Sequence, residues 1–152
     1  MTLALYRILI NLILLFSPII ILIRILKGKE DLNRFPEKLG FFSKKKVGKK
    51  LIWFHGASVG ELLSVIPLIE NLEKDKNINQ ILLTSSTISS AKVFSKFKFK
   101  KTIHQFFPID SNIISKKFIN FWKPSISIFI DSEIWPNIIL NLNKEKIPII
   151  LL

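Results

Sequence analysis

The chain has 152 residues, 49% of them hydrophobic, and 23 Lys and Arg stand against 11 Asp and Glu, a formal net charge of +12. This length and apolar content suit one domain with a sizeable core and exclude a disordered polar chain. The lack of cysteine excludes disulfides, zinc ribbons, iron–sulfur clusters and a thiol nucleophile, and two histidines, His55 and His104, are too few for a His-rich metal site.

Only Arg7, Arg24 and Arg34 among the cations are arginine. Readers of bases and phosphates favour the bidentate arginine fork, so the basic excess alone does not mark a nucleic-acid binder. A membrane surface is the more plausible electrostatic partner.

From Leu3 to Ile23 the only ionised side chain is Arg7, and Ile8 to Ile23 is interrupted only by Asn11, Ser17 and Pro18. This is about the ~20 residues a helix needs to cross a bilayer. No basic region precedes Arg7 and no small-x-small cleavage site follows, so residues 1–26 read as an uncleaved anchor or a deeply inserted monotopic helix. Residues 27–50 read as a basic linker with nine cations and three acids, and cations after an apolar span favour a cytoplasmic C-terminal side.

From residue 51 to 152 apolar runs alternate with segments of helical period. Strands are predicted at Leu51–His55, Ile81–Thr84, Thr102–Phe107, Ser125–Ile130 and Ile147–Leu152. Helices are predicted at Gly60–Lys74, Ser89–Phe97, Ser111–Trp122 with Ser111 as cap, and Glu133–Lys144 with Pro136 in its first turn. The alternation implies an α/β fold, a Rossmann-like parallel sheet with helices on both faces. The final Ile147-Pro148-Ile149-Ile150-Leu151-Leu152 reads as a fully buried strand, with the expectation that the chain is the front of a longer architecture or a truncated product.

Ligands of open α/β sheets lie beyond the carboxyl ends of the strands. After the first strand, His55-Gly56-Ala57-Ser58-Val59-Gly60-Glu61 offers two glycines, a hydroxyl cap and a carboxylate in the first helical turn. On spacing alone, a capped turn in which Glu61 complements the helix dipole is as good a reading as catalysis. No GxGxxG fingerprint or P-loop is present. Thr84-Ser85-Ser86-Thr87 follows the second strand, Phe107-Pro108-Ile109-Asp110 the third, and Asp131-Ser132-Glu133 the fourth. Lys92 to Lys101 alternates lysine with Phe94, Phe97 and Phe99, and is read as phenylalanines on the core and lysines in water rather than as base-stacking aromatics.

Four motifs stand in order behind the apolar segment: Arg34-Phe35-Pro36-Glu37-Lys38-Leu39-Gly40, Trp53-Phe54-His55-Gly56-Ala57-Ser58-Val59-Gly60-Glu61, Phe107-Pro108-Ile109-Asp110 and Ser132-Glu133-Ile134-Trp135-Pro136-Asn137. In these, from about Arg24 onward, the sequence resembles the Kdo (3-deoxy-D-manno-octulosonic acid) transferases, which add Kdo to the lipid A precursor in Gram-negative bacteria. The resemblance implies the N-terminal, acceptor-binding half of a GT-B glycosyltransferase, with the donor domain for CMP-Kdo missing and no activity in this portion alone. It implies a lipid A precursor as acceptor, no cofactor and no metal; with the lysine bias and the basic flank, the expectation is no nucleic acid and the cytoplasmic face of the inner membrane. Glu61 matches the family's catalytic base, with Ser58, Gly60, Asp131 and Glu133 as acceptor-binding or supporting residues. The family usually has two glutamates flanking one residue at the last pair, so Asp131 is a departure by one methylene. The alternative expectation is a noncatalytic membrane-anchored module that binds an anionic lipid or a partner protein.

Overall fold

The computed structural model describes residues 2–131 and 134–152. Its centre is a sheet of five parallel strands, β1 (Leu51–His55), β2 (Gln80–Ser85), β3 (Thr102–Phe106), β4 (Ile126–Phe129) and β5 (Ile149–Leu151), in the order β3-β2-β1-β4-β5. The winding direction reverses between β1 and β4, which makes their carboxyl ends the topological switch point. Successive side chains of a strand point to opposite faces, and β1 shows the consequence. Leu51 and Trp53 enter a cluster with Phe118, Trp122 and Leu142, while Phe54 enters a second cluster with Leu62, Ile66 and Ile69. A strand covered on both faces needs no polar alternation, which is why Leu-Ile-Trp-Phe reads as one apolar run.

The first cluster is closed by α4 (Asn112–Trp122) and α5 (Pro136–Lys144), and the second by α2 (Val59–Leu72) and α3 (Ile88–Phe94). Ser58, Thr87 and Ser111 cap α2, α3 and α4, each hydroxyl accepting the N–H three residues on. Phe94, Phe97 and Phe99 lie against the second cluster while Lys92, Lys96, Lys98 and Lys100 stay exposed, as their spacing suggests.

The last strand departs from expectation. β5 pairs only with β4 among the described residues, and Ile150 and Leu151 are 41% and 59% exposed, so the segment is an edge strand rather than a fully buried one. An apolar run reports only that its residues suit a covered sheet; it does not report whether a neighbour covers them.

Before β1 the chain forms α1 (Leu3–Leu26) and a 3-10 helix (Phe35–Leu39). Helix α1 is long and apolar enough to cross a membrane, with a mean hydropathy of 2.6, and only 11% of its most apolar window is buried, unlike the core helix of a soluble domain. Tyr6 and Arg7, then Ile10, Leu14, Ser17 and Ile21 at three- or four-residue steps, then Arg24 and Ile25, are its covered stripe. Pro18, on the exposed side, leaves the helix continuous.

The segment read as a basic linker contains a buried polar clasp on β3. Arg34 makes a bidentate pair with Glu37, at 2.9 Å to each oxygen, and Glu37 also accepts the N–H of Phe106 at 2.7 Å and the hydroxyl of Ser43. Arg34 Nη2 donates to the carbonyl of His104 at 2.9 Å and to its Nδ1 at 3.0 Å, so Nε2–H is left to donate to Ser85 Oγ at 2.8 Å. Gly40 ends the 3-10 helix at φ 79°, a left-handed conformation that costs glycine little. Phe42 then stacks on Phe121 with ring centroids 3.9 Å apart.

Burial, reinforced by the Arg34 and Lys44 charges, pushes the His104 imidazole down to about 3. The unfolded chain regains a histidine of about 6.5, so between these values it binds more protons than the fold. Stability should therefore be complete above about pH 6.5 and fall as pH drops toward about 3, by up to about 1.4 kcal/mol per pH unit. Denaturant midpoints between pH 7.5 and 5 measure this slope. His104→Gln should flatten the slope, and an unchanged slope would assign it elsewhere.

Candidate functional site

The loops at the switch point bring Ser58, Gly60 and Glu61 together at the start of α2. Ser58 Oγ accepts the N–H of Glu61 at 3.2 Å, and Glu61 Oε2 accepts the N–H of Ala57 at 2.7 Å. This is a capping box shifted by one residue, since the carboxylate reaches the N–H before the cap rather than that of the cap itself. The reciprocal bonds fix the Glu61 side chain in the helix's first turn, where the aligned peptide dipoles favour an anion. No hydrogen bond among the described residues falls on Oε1. The half-buried carboxylate can thus be oriented through one oxygen while the other meets a hydroxyl.

The two loop glycines do different work. A Cβ on Gly56 would lie 3.0 Å from both Glu61 Cβ and Ile130 Cδ1, so glycine lets the ends of β1 and β4 and the start of α2 close on one another. A Cβ on exposed Gly60 would meet only Ser58 Oγ, at 3.9 Å. Among the described residues, nothing else crowds Gly60 within 4 Å of that position.

Below the loop, His55 is buried with Nδ1 3.0 Å from Thr84 Oγ1, and its ring stacks on Phe107 at a 3.7 Å centroid distance. Trp135 leans on Phe107 at 5.2 Å. These rings make a stiff floor joining the loops after β1, β3 and β4.

Asp131 lies at the end of β4, exposed and at φ 57°, and its N–H donates to the carbonyl of Leu152 beside it. Glu133, with Ser132, lies outside the described residues, so its position relative to Glu61 is not part of the geometry. Ile134 next to it is exposed.

Asp110 has a structural task that spacing does not reveal. Its carboxylate accepts the N–H groups of Asn137 and Ile138, at 3.0 and 2.8 Å, and so caps α5, whose cap position is held by Trp135. The third motif thus caps the helix of the fourth from outside. Tyr6 of α1 donates to the same carboxylate at 2.7 Å, and Arg7 Nε donates to Asn137 Oδ1 at 2.9 Å. Burial pushes the Asp110 carboxyl up, against the opposing pull of the Tyr6, Asn137 and Ile138 hydrogen bonds and the Arg7 charge. The clue in the sequence was a lone carboxylate in an apolar context between proline and a capping serine; its partners, more than twenty residues away, left no local trace.

Between α1 and the strand ends lies a cleft of ≈ 260 Å3, lined by Ile10, Ile13, Lys38, Ser86, Phe107 and Trp135 among others. Lys38 Nζ lies 2.7 Å from a Glu30 oxygen, and Arg24 Nε donates to that carboxylate at 2.8 Å. Burial pushes the Glu30 carboxyl up, but the hydrogen bonds and charges of Lys38 and Arg24 outweigh it and hold it below its ordinary value. Among the described residues no group of three His, Cys, Asp or Glu could hold a metal.

A doubly wound parallel sheet with a capped acidic helix start at its switch point defines a Rossmann-like α/β domain. Residues 33–152 match the family model described as 3-deoxy-D-manno-octulosonic-acid transferase (kdotransferase), and the chain belongs to this family. It is 42% identical to the 3-deoxy-D-manno-octulosonic acid transferase of Rickettsia bellii over 127 residues, which cover 84% of this chain and 30% of that protein. It is 29% identical to the transferase of the same name from Haemophilus influenzae over 120 residues, 78% of this chain and 28% of that protein. The chain thus spans about 30% of the length of the first of these relatives.

Proposed function

We propose that this chain supplies the acceptor-binding part of a Kdo transferase that moves Kdo from CMP-Kdo to a lipid A precursor, with the donor held by a second domain outside these 152 residues. The observation that carries the reading is Glu61, oriented through Oε2 at the switch point, beside a Gly60 that is exposed among the described residues. Glu61 takes the proton from the acceptor hydroxyl as that oxygen attacks the anomeric carbon of the donor sugar and the C–O bond to the nucleotide phosphate breaks. Glu61 is then neutral, and the nucleotide leaves with the negative charge. Ser58 and Gly60 hold the helix start in place, Asp131 supports the acceptor from the end of β4, and Glu133 shares that supporting role.

In this reading α1 lies in the membrane interface along the domain. Its contacts run from Tyr6 to Arg24, about 27 Å of helix at 1.5 Å per residue. A helix upright in the bilayer with such contacts would carry the polar surface of the domain into hydrocarbon, where unsatisfied groups are costly. An in-plane helix instead turns Leu15, Phe16, Ile19 and Leu22 to lipid and holds the strand ends at the surface from which a lipid acceptor arrives. The bilayer is the bacterial inner membrane, and the domain is on its cytoplasmic face.

One observation favours a noncatalytic membrane module as the second reading: the bond to Ala57 already accounts for Glu61 as a capping group. The test is transfer itself. The longer protein in detergent, given lipid A precursor and CMP-Kdo, should yield a lipid heavier by Kdo, and residues 1–152 alone should yield none, because transfer needs both substrates held in one geometry. Absence of product from the longer protein would leave the binding module.

A further inference from the structure

Two clefts take lining residues from neighbouring positions of α1, away from the loops that follow β1 and β4. The first, of ≈ 270 Å3, lies between Pro18, Ile21 and Ile25 of α1 and Phe35 and Leu39 of the 3-10 helix, with Ser17 as its one hydroxyl side chain. The second, also of ≈ 270 Å3, begins at Arg24, the residue before Ile25, and is lined by Lys29, Thr87, Ser89 and Lys92. No acidic residue lines it. Glu30 pairs with both Arg24 and Lys38, which leaves one positive charge from that trio, and Lys29 and Lys92 add two more at the surface.

We infer that α1, the 3-10 helix and the first turn of α3 form a two-part site for one anionic phospholipid of the bilayer, its phosphate among Arg24, Lys29 and Lys92 and a stretch of acyl chain in the apolar cleft. The inference rests on the in-plane placement of α1 proposed above. At about 30 Å3 per water-sized group, the apolar cleft has room for roughly nine methylenes, and water there would find few of the two to four polar partners it needs. A free anion would satisfy the cations and leave this half unfilled, while an uncharged lipid would leave the cations unmatched. The two clefts share α1, so one amphiphile answers both. Neither cleft takes a lining residue from the loops around Glu61 or Asp131, which sets the occupant apart from an acceptor whose hydroxyl must reach Glu61. The site also gives the first motif a second task, since Arg34 and Glu37 anchor to β3 the short helix whose Phe35 and Leu39 form the cleft's floor.

The experiment uses the whole chain in nonionic detergent, with lipid adducts counted by native mass spectrometry. One phosphatidylglycerol should be retained in preference to phosphatidylcholine by roughly tenfold or more, the scale expected from a few cations near a surface. Lys29→Glu with Lys92→Glu should abolish the preference. Lys98→Glu with Lys100→Glu, the same change of charge beside the amino end of β3, should keep it. Leu39→Trp, which fills the apolar cleft, should weaken retention, and should it fail to fold, the paired lysine variants still decide. Equal retention of the two lipids, equal loss in both lysine pairs, or displacement by millimolar inorganic phosphate would overturn the site. Preferential retention of lipid A precursor over phosphatidylglycerol would do so as well, by making the cleft part of the acceptor site. Sedimentation with phosphatidylcholine vesicles, measured first, reads the placement of α1 separately, because an apolar helix face binds them without help from the cations.

Discussion

Glu61→Gln in the longer protein should lower turnover by roughly 10²-fold or more, the span general-base catalysis commonly supplies. Gln preserves the size of the side chain, and its Oε1 can still accept the N–H of Ala57 now held by the carboxylate at 2.7 Å. The capping geometry therefore survives while the proposed base is removed, and lipid binding should change little. The loss should appear in kcat, because the proton is transferred only as the acceptor attacks. The check is initial rate against acceptor concentration, beside thermal unfolding of the same variant. Wild-type turnover in a folded Glu61→Gln protein would leave Glu61 as a cap alone, whereas a large fall in unfolding temperature would trace the loss to the helix start.

Arg34→Ala should be the most damaging single change to stability outside the hydrophobic core. It removes a bidentate partner from Glu37, whose side chain is 2% exposed, and also takes the donors from Nδ1 and the carbonyl of His104. Breaking a buried ion pair by deleting one member costs about 3–5 kcal/mol, because the remaining charge stays desolvated. At about 2–4 °C per kcal/mol for a domain of this size, unfolding should come roughly 6–20 °C earlier. Arg34→Lys should fall between wild type and alanine, since an ammonium keeps the charge and loses the fork. The pair Arg34→Ala with Glu37→Gln should recover part of the loss, because the buried charge goes with its partner. Melting in detergent, followed by far-UV circular dichroism, measures all three. An Arg34→Ala protein that melts with wild type would mean that water or Ser43 already satisfies Glu37.

Much of the candidate site was legible because its chemistry is local. Ser58, Gly60 and Glu61 lie within four consecutive residues of one cap, and the three-residue offset that makes a capping box is written in the chain. Asp110 was visible only as part of a motif; its role as a cap for α5 depends on two elements meeting in space. The basic segment misled for the same reason. Its lysines announce solvent, while Glu30 and Glu37, the two carboxylates that tie it to α1 and β3, are indistinguishable in composition from surface acids.

Taken by itself, the sequence determined the order of strands and helices, the parallel sheet, the caps at Ser58 and Ser111 and an N-terminal helix apolar enough for a membrane. These follow from periodicity and from hydrogen bonds three or four residues long, which each segment specifies alone. Only the tertiary structure decided that α1 lies along the domain through Tyr6, Arg7 and Arg24, that β5 is an exposed edge, and that Arg34, Glu37 and His104 close one buried clasp. Each of these depends on which partner covers a face or completes a charge. That partner is chosen by burial over the whole chain, where the cost of an unpaired buried group far exceeds any local preference.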